Sequence, residues 1–95
     1  MVTATVMDEF FRKGDKVIVK TIQEIKDTKH TGNYKQDNKH FSCTYRGLEY
    51  SVFCDFDHHA QGKEGVIQGG IYDYYMKVMI DGKVHQIPAF ALKRG

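Results

Sequence analysis

Thiol, imidazole and carboxylate side chains crowd one stretch of this 95-residue chain: Cys43, Cys54, Asp55, Asp57, His58 and His59. These are the donors that zinc takes in tetrahedral sets. The spacing does not follow the chemistry. There is no C-x-x-C or H-x-x-x-H, and the adjacent His58 and His59 would point opposite ways on an extended segment. Two small core thiols beside a polar loop is the plainer reading, so no metal is expected; Cys43, Cys54, His58 and His59 would be the ligands if one bound. Cys54 with His58 or His59 can also be drawn as a nucleophile and its base. No nucleophile elbow or oxyanion loop accompanies them, and a chain this short rarely builds a deep pocket. Neither a catalytic residue nor a cofactor is therefore expected.

The other candidates are binding residues. Gly62-Lys63-Glu64-Gly65 lacks the Gly-Lys-Ser/Thr ending of a phosphate loop and reads as a turn into a strand. Six tyrosines and six phenylalanines, with no tryptophan, supply rigid contact area. Tyr74 shares strand parity with Met76, Val78 and Ile80, which assigns it to packing. Tyr34, Tyr72 and Tyr75 are then the surface candidates for a partner protein. Lys26, Lys29, His30, Lys35, Lys39 and His40, with Arg46, can form a basic surface for phosphates. Interspersed Glu24, Asp27 and Asp37 give that segment the look of an ordinary solvated loop.

The elements that must position these residues are mostly strands. Hydrophobic content of 41% and charged content of 27% suit a globular chain, read here as one domain over residues 1–95. A net charge of +2 is too small to announce a dedicated nucleic-acid binder. No run approaches the roughly 20 apolar residues of a membrane span, and no signal peptide is visible, so a cytoplasmic protein with reduced cysteines is expected. Lys16–Lys20, β-branched at its centre, is the first strand. Residues 21–40 read as a long polar loop with a short helix near Ile22–Lys26.

Phe41–Phe56 reads as a hairpin turning at Arg46-Gly47, pairing Tyr45 with Leu48, Cys43 with Tyr50 and Phe41 with Val52. Phe53 breaks the alternation. In that register Cys54 lies about 13 Å along the strand from the partner of Cys43. A disulfide needs Cα atoms within about 7 Å, so Cys43 is expected as a small core residue. Gly65–Gln68 is a further strand. Tyr74–Ile80 and Lys83–Pro88 form the last hairpin, with Asp81-Gly82 as a type I′ turn. A single 3₁₀ turn over Ala89–Leu92 and a short strand follow.

The order of these pieces resembles the small SH3-like barrels. Gly14-Asp15-Lys16-Val17-Ile18-Val19 with Gly62-Lys63-Glu64-Gly65-Val66-Ile67 is similar to the KOW motif of ribosomal and transcription-elongation proteins. Ile87-Pro88-Ala89-Phe90-Ala91-Leu92 is similar to the strand, helical turn and strand that close such barrels. The likeness spans about forty residues. KOW brings its two glycine elements close together, whereas here residues 20–61 intervene. The ending also resembles the plasmid-type dihydrofolate reductases at Pro88, Ala91-Leu92 and Arg94. That family's Gln-Ile-Tyr active-site tripeptide would fall on His85-Gln86-Ile87, which does not match.

The expectation is a mostly β chain, a small SH3-like barrel with a long polar loop after its first strand. It would act as a non-enzymatic binding module, similar to small phage or accessory proteins, that engages a partner protein through Tyr34, Tyr72 and Tyr75. A homodimer is compatible with exposed tyrosines and a small core. The alternative is DNA or RNA binding, KOW-like, through Lys26, Lys29, Lys35, Lys39, Arg46, Lys63, Lys93 and Arg94.

Overall fold

The computed structural model describes residues 11–54, 57–70 and 74–95. Tyr72, Asp55 and most of the N-terminal lead-in lie outside the described residues, as does the Asp57 side chain.

The chain is mostly β, in two antiparallel sheets. Five strands form the larger one: β1 (Lys16–Val19), β5 (Glu64–Gly70), β6 (Tyr75–Ile80), β7 (Lys83–Pro88) and β8 (Leu92–Arg94), in the spatial order β7-β6-β5-β1-β8. Strands β2 (Thr31–Gln36), β3 (Phe41–Tyr45) and β4 (Leu48–Phe53) form the smaller. A five-residue helix, α1 (Ile22–Lys26), joins β1 to β2. The expected closed barrel is not formed: β4 lies against β7 without a backbone ladder between them.

One hydrophobic core serves both sheets. Val17, Val19, Ile67, Val78 and Ile87 reach it from the large sheet, Phe41, Val52 and Phe53 from the small one, and Ile25 from α1. Alternation explains these choices, since a strand with one wet face buries every second residue; β6 buries Met76, Val78 and Ile80. Pro88 and Ala89–Leu92 are buried, the 3₁₀ turn Ala89–Ala91 carrying the chain from β7 to β8.

The two glycine-bearing segments separated by residues 20–61 meet as neighbours. Val17 pairs with Gly65, and Gly14 N–H donates to the Ile67 carbonyl at 2.8 Å. Gly65 is buried there because nothing larger fits: a Cβ would stand 2.6 Å from Val78 Cγ1 and 2.9 Å from the Met79 carbonyl oxygen.

Residues 21–40 are not a long loop. Thr21 caps α1 through a reciprocal box, accepting from Glu24 N–H at 3.2 Å while its own N–H donates to Glu24 Oε1 at 3.0 Å. Strand β2 follows. It sits at the sheet edge with four exposed residues out of six, so it needs no aliphatic run, and a bulge between Gly32 and Lys35 breaks its ladder.

The hairpin register holds at Tyr45–Leu48 and Cys43–Tyr50, but Phe41 pairs with Phe53 rather than Val52. A bulge after Phe41 absorbs one residue, which lets Val52 and Phe53 both be buried. Leu48, at the hairpin tip, is 64% exposed. Tyr74 also departs from its expected place, lying before β6 with a φ of 72°.

Tyr75 ties the two sheets together. It belongs to β6, opposite Pro88 of β7, and its hydroxyl accepts the Ser51 N–H of β4 at 2.9 Å. A side chain thus satisfies an edge amide that the missing β4–β7 ladder leaves open.

Candidate binding surface

Aromatic rings gather where the small sheet meets the large one. Tyr45, at the end of β3, stacks on Phe90 of the 3₁₀ turn with centroids 4.5 Å apart and on Tyr74 at 5.7 Å. Tyr50 packs edge-on against Phe90 at 5.3 Å and against Tyr75 at 5.5 Å. Tyr50 and Phe90 are buried, whereas Tyr45, Tyr74 and Tyr75 are only half-buried. Burial, with Tyr45 beside it, pushes the Tyr74 hydroxyl up to about 12. The ring therefore stays neutral at physiological pH and presents a flat apolar surface with a polar tip.

The backbone around this platform is strained. Tyr74 (φ 72°), Arg46 (φ 53°) and His30 (φ 75°) all occupy the left-handed region without being glycine. For a bulky side chain that conformation is a true outlier, and such outliers cluster at binding sites and switches. The three converge. Arg46 N–H donates to the His30 carbonyl at 3.1 Å, the Arg46 guanidinium lies 5.5 Å from the Tyr45 centroid, and Tyr45 stacks on Tyr74.

A second cation–ring pair sits alongside. Lys26 Nζ is 5.5 Å from the Tyr34 centroid. Thr31 links the two pairs, facing Tyr45 across the β2–β3 ladder while its hydroxyl meets the Tyr34 hydroxyl at 2.9 Å. Tyr34 also donates to the Lys26 carbonyl at 3.2 Å and stacks on Phe41.

Seven of the eight predicted basic residues divide into two groups. Lys35 pairs with Glu49 at 3.7 Å, Lys63 with Asp81 at 2.8 Å and Arg94 with Asp15 at 3.4 Å, and Lys93 forms an ion pair with Glu24. The lysines hold the Glu24 and Asp81 carboxyls below their usual range. Lys26, Lys29 and Arg46 have no ion pair among the described residues. Lys39 stands apart from them, where its N–H and that of His40 donate to Asp37 Oδ1 at 2.8 and 2.7 Å and lower the Asp37 carboxyl.

The outer face of the small sheet carries two shallow, open, polar grooves of about 410 and 520 Å³ that share Lys35 and Glu49. Ser42, Thr44 and Ser51 line them, as expected for the wet face of an antiparallel sheet.

Of the three tyrosines expected at a partner surface, Tyr34 is 36% exposed, Tyr75 is committed to Ser51 between the sheets, and Tyr72 is outside the described residues. The metal-like residues are dispersed. Cys43 is buried opposite Tyr50, and burial raises its thiol to about 11. Cys54 contacts Ser51 Oγ at 2.9 Å, His58 packs on Phe53 at 5.8 Å with its Nε2 buried and unbonded, and His59 is exposed. No three His, Cys, Asp or Glu side chains among the described residues are placed to hold a metal ion. No described helix is long and apolar enough to cross a membrane.

Arg46 stands among the basic candidates in the sequence, but neither Tyr45 nor Phe90 was expected at the site, nor was Arg46 expected against Tyr45. Arg46 in the first position of a type I′ turn was the available signal, since that position favours Asn, Asp or Gly. No family model matches the chain, and neither a curated protein nor a solved structure is found similar to it.

Proposed function

We propose that the chain is a non-enzymatic, intracellular binding module that docks a segment of a partner protein on the Tyr45–Tyr74 platform, which the buried Phe90 backs. The observation that carries this reading is the convergence of three left-handed residues, His30, Arg46 and Tyr74, on half-exposed stacked rings. Rigid tyrosines give contact area at low entropic cost, the property that enriches them at interfaces. The scaffold we read as SH3-like. Its five-strand unit runs β7-β6-β5-β1-β8 with a 3₁₀ turn before the last strand, and the helix and small sheet are an elaboration between β1 and β5.

Nucleic-acid binding is the second reading, favoured by Lys26, Lys29 and Arg46, which have no ion pair among the described residues, with Lys26 and Arg46 lying against tyrosines. It is weakened by the pairing of Lys35, Lys63, Lys93 and Arg94 with carboxylates, because a strand of phosphates needs a track of free cations.

Capture from lysate, with and without nuclease, on the wild-type chain and on Tyr74→Asn separates these readings. Asparagine tolerates the left-handed backbone while removing the ring. A protein retained by the wild type, released by the variant and only modestly weakened by salt supports docking. Retention that disappears with nuclease or falls steeply with salt supports nucleic acid instead.

A further inference from the structure

We infer that the platform selects an acidic partner segment, one with carboxylates flanking a central aromatic or apolar side chain. The inference rests on the docking reading above and names its ligand chemistry. Three features of the rim carry it.

The first is charge that meets no carboxylate among the described residues. Lys26, Lys29 and Arg46 are exposed and without an ion pair among the described residues, whereas Lys35, Lys63, Lys93 and Arg94 each have a carboxylate. Asp27 is the one carboxylate in the connection from α1 to β2, and it accepts from Gln23 Nε2 at 3.2 Å. The rim thus keeps a positive excess on a chain whose total is only +2.

The second is position. Lys26 ends α1, Lys29 and His30 lead into β2, and Arg46 turns from β3 to β4. The Arg46–His30 backbone bond and the Thr31–Tyr45 pairing hold these segments side by side, next to the stacked rings. An apolar side chain on the Tyr45–Tyr74 stack would place its chain neighbours over these cations.

The third is retention of Arg46 in a costly conformation. Asparagine would serve the turn better. Arginine offers instead a planar fork that binds a carboxylate through two hydrogen bonds while stacking on Tyr45. Lys26, Lys29 and Arg46 lie on two neighbouring segments joined by the Arg46–His30 bond rather than along a groove. That arrangement suits a compact acidic motif better than a nucleic-acid strand.

The test is a set of amide chemical-shift titrations of the folded chain. The probes are an end-blocked Glu-Asp-Phe-Asp-Glu peptide, its Gln-Asn-Phe-Asn-Gln counterpart and a short oligothymidylate. The acidic peptide should bind roughly tenfold more tightly than the neutral one, the yield of about three exposed charge contacts. Shifts should centre on His30, Thr31, Tyr45, Arg46 and Tyr74. Combining Lys26→Gln, Lys29→Gln and Arg46→Asn should erase the preference, while Tyr74→Asn should weaken both peptides.

Equal binding of the two peptides, still dependent on Tyr74, would overturn the acidic selection and leave the docking reading standing. If neither peptide moves these amides, both fail. Tighter, salt-sensitive binding of oligothymidylate would overturn the inference in favour of a nucleic-acid ligand.

Discussion

Tyr75→Phe removes a single oxygen and isolates what joins the two sheets. The phenyl ring can keep its packing against Tyr50 at 5.5 Å, so the loss falls on the hydroxyl's contacts, the 2.9 Å bond from Ser51 N–H among them. A net hydrogen bond contributes about 0.5–1.5 kcal/mol, and an amide left buried without a partner costs about 1–3 kcal/mol. Ser51 is half-buried, so water can reach part of the site, and the expected loss is about 1–2 kcal/mol. At roughly 4–8 °C per kcal/mol for a chain of this size, the thermal midpoint should fall by roughly 4–16 °C.

Urea unfolding of wild type, Tyr75→Phe and Tyr34→Phe gives the comparison. The Tyr34 hydroxyl sits on a residue 36% exposed, where water can replace it, so its removal should cost less than about half as much. Amide exchange supplies the local readout: Ser51 N–H should be protected in wild type and exchange quickly in Tyr75→Phe, with Val52 little changed. A loss no larger than that of Tyr34→Phe, or a Ser51 amide still protected, would refute the inter-sheet tie.

Three further outcomes follow. Gly65→Ala forces a methyl to within 2.9 Å of the Met79 carbonyl oxygen and should destabilise by about 1–3 kcal/mol in urea titration, whereas Gly47→Ala should act through backbone strain alone at a φ of 86°. Arg46→Asn should stabilise the chain by roughly 0.5 kcal/mol, since relief of the left-handed arginine outweighs an exposed cation–ring contact, while acidic-peptide binding weakens. Tyr74 gives a pH dependence. Its folded hydroxyl titrates at about 12 against 10.0 for an ordinary tyrosine, so between those values the unfolded chain releases a proton that the folded chain keeps. Stability is full below pH 10, falls as the pH rises through that window, and Tyr74→Phe should flatten the fall. Because the ring is half-exposed, the slope should account for no more than roughly 1 kcal/mol.

What the sequence made legible was local. Asp81-Gly82 has φ values of 51° and 80°, the type I′ geometry its residue types favour, and β7 runs from Lys83, just after that turn, to Pro88, where proline ends the pairing. Arg46-Gly47 and the Cys43–Tyr50 register were readable because a two-residue turn fixes the pairing that follows. Strand β2 was not, because an exposed edge strand carries polar residues and mimics a loop. The Thr21–Glu24 capping box was a signal for α1 that needed only its spacing. The bulge at Phe41 was hinted at by Phe53, whose break in alternation the structure resolves by burying two successive residues. At the surface, residue types named the cations but not their partners. Lys93 finds Glu24 and Arg94 finds Asp15 across nearly the whole chain, pairings set by the β1–β8 ladder rather than by spacing. Tyr74 was assigned to the core by a parity that stops one residue before it, at Tyr75.

The central claim, that the Tyr45–Tyr74 platform is where a partner docks, is tested most directly by site-specific photo-crosslinking. A benzophenone side chain placed at Tyr74 is compared with the same group at Val84, an exposed position on β7. In nuclease-treated lysate the Tyr74 probe should yield a discrete protein adduct that excess unmodified chain competes away, and the Val84 probe should not. Adducts of equal strength at both positions, or none at Tyr74, would contradict the account.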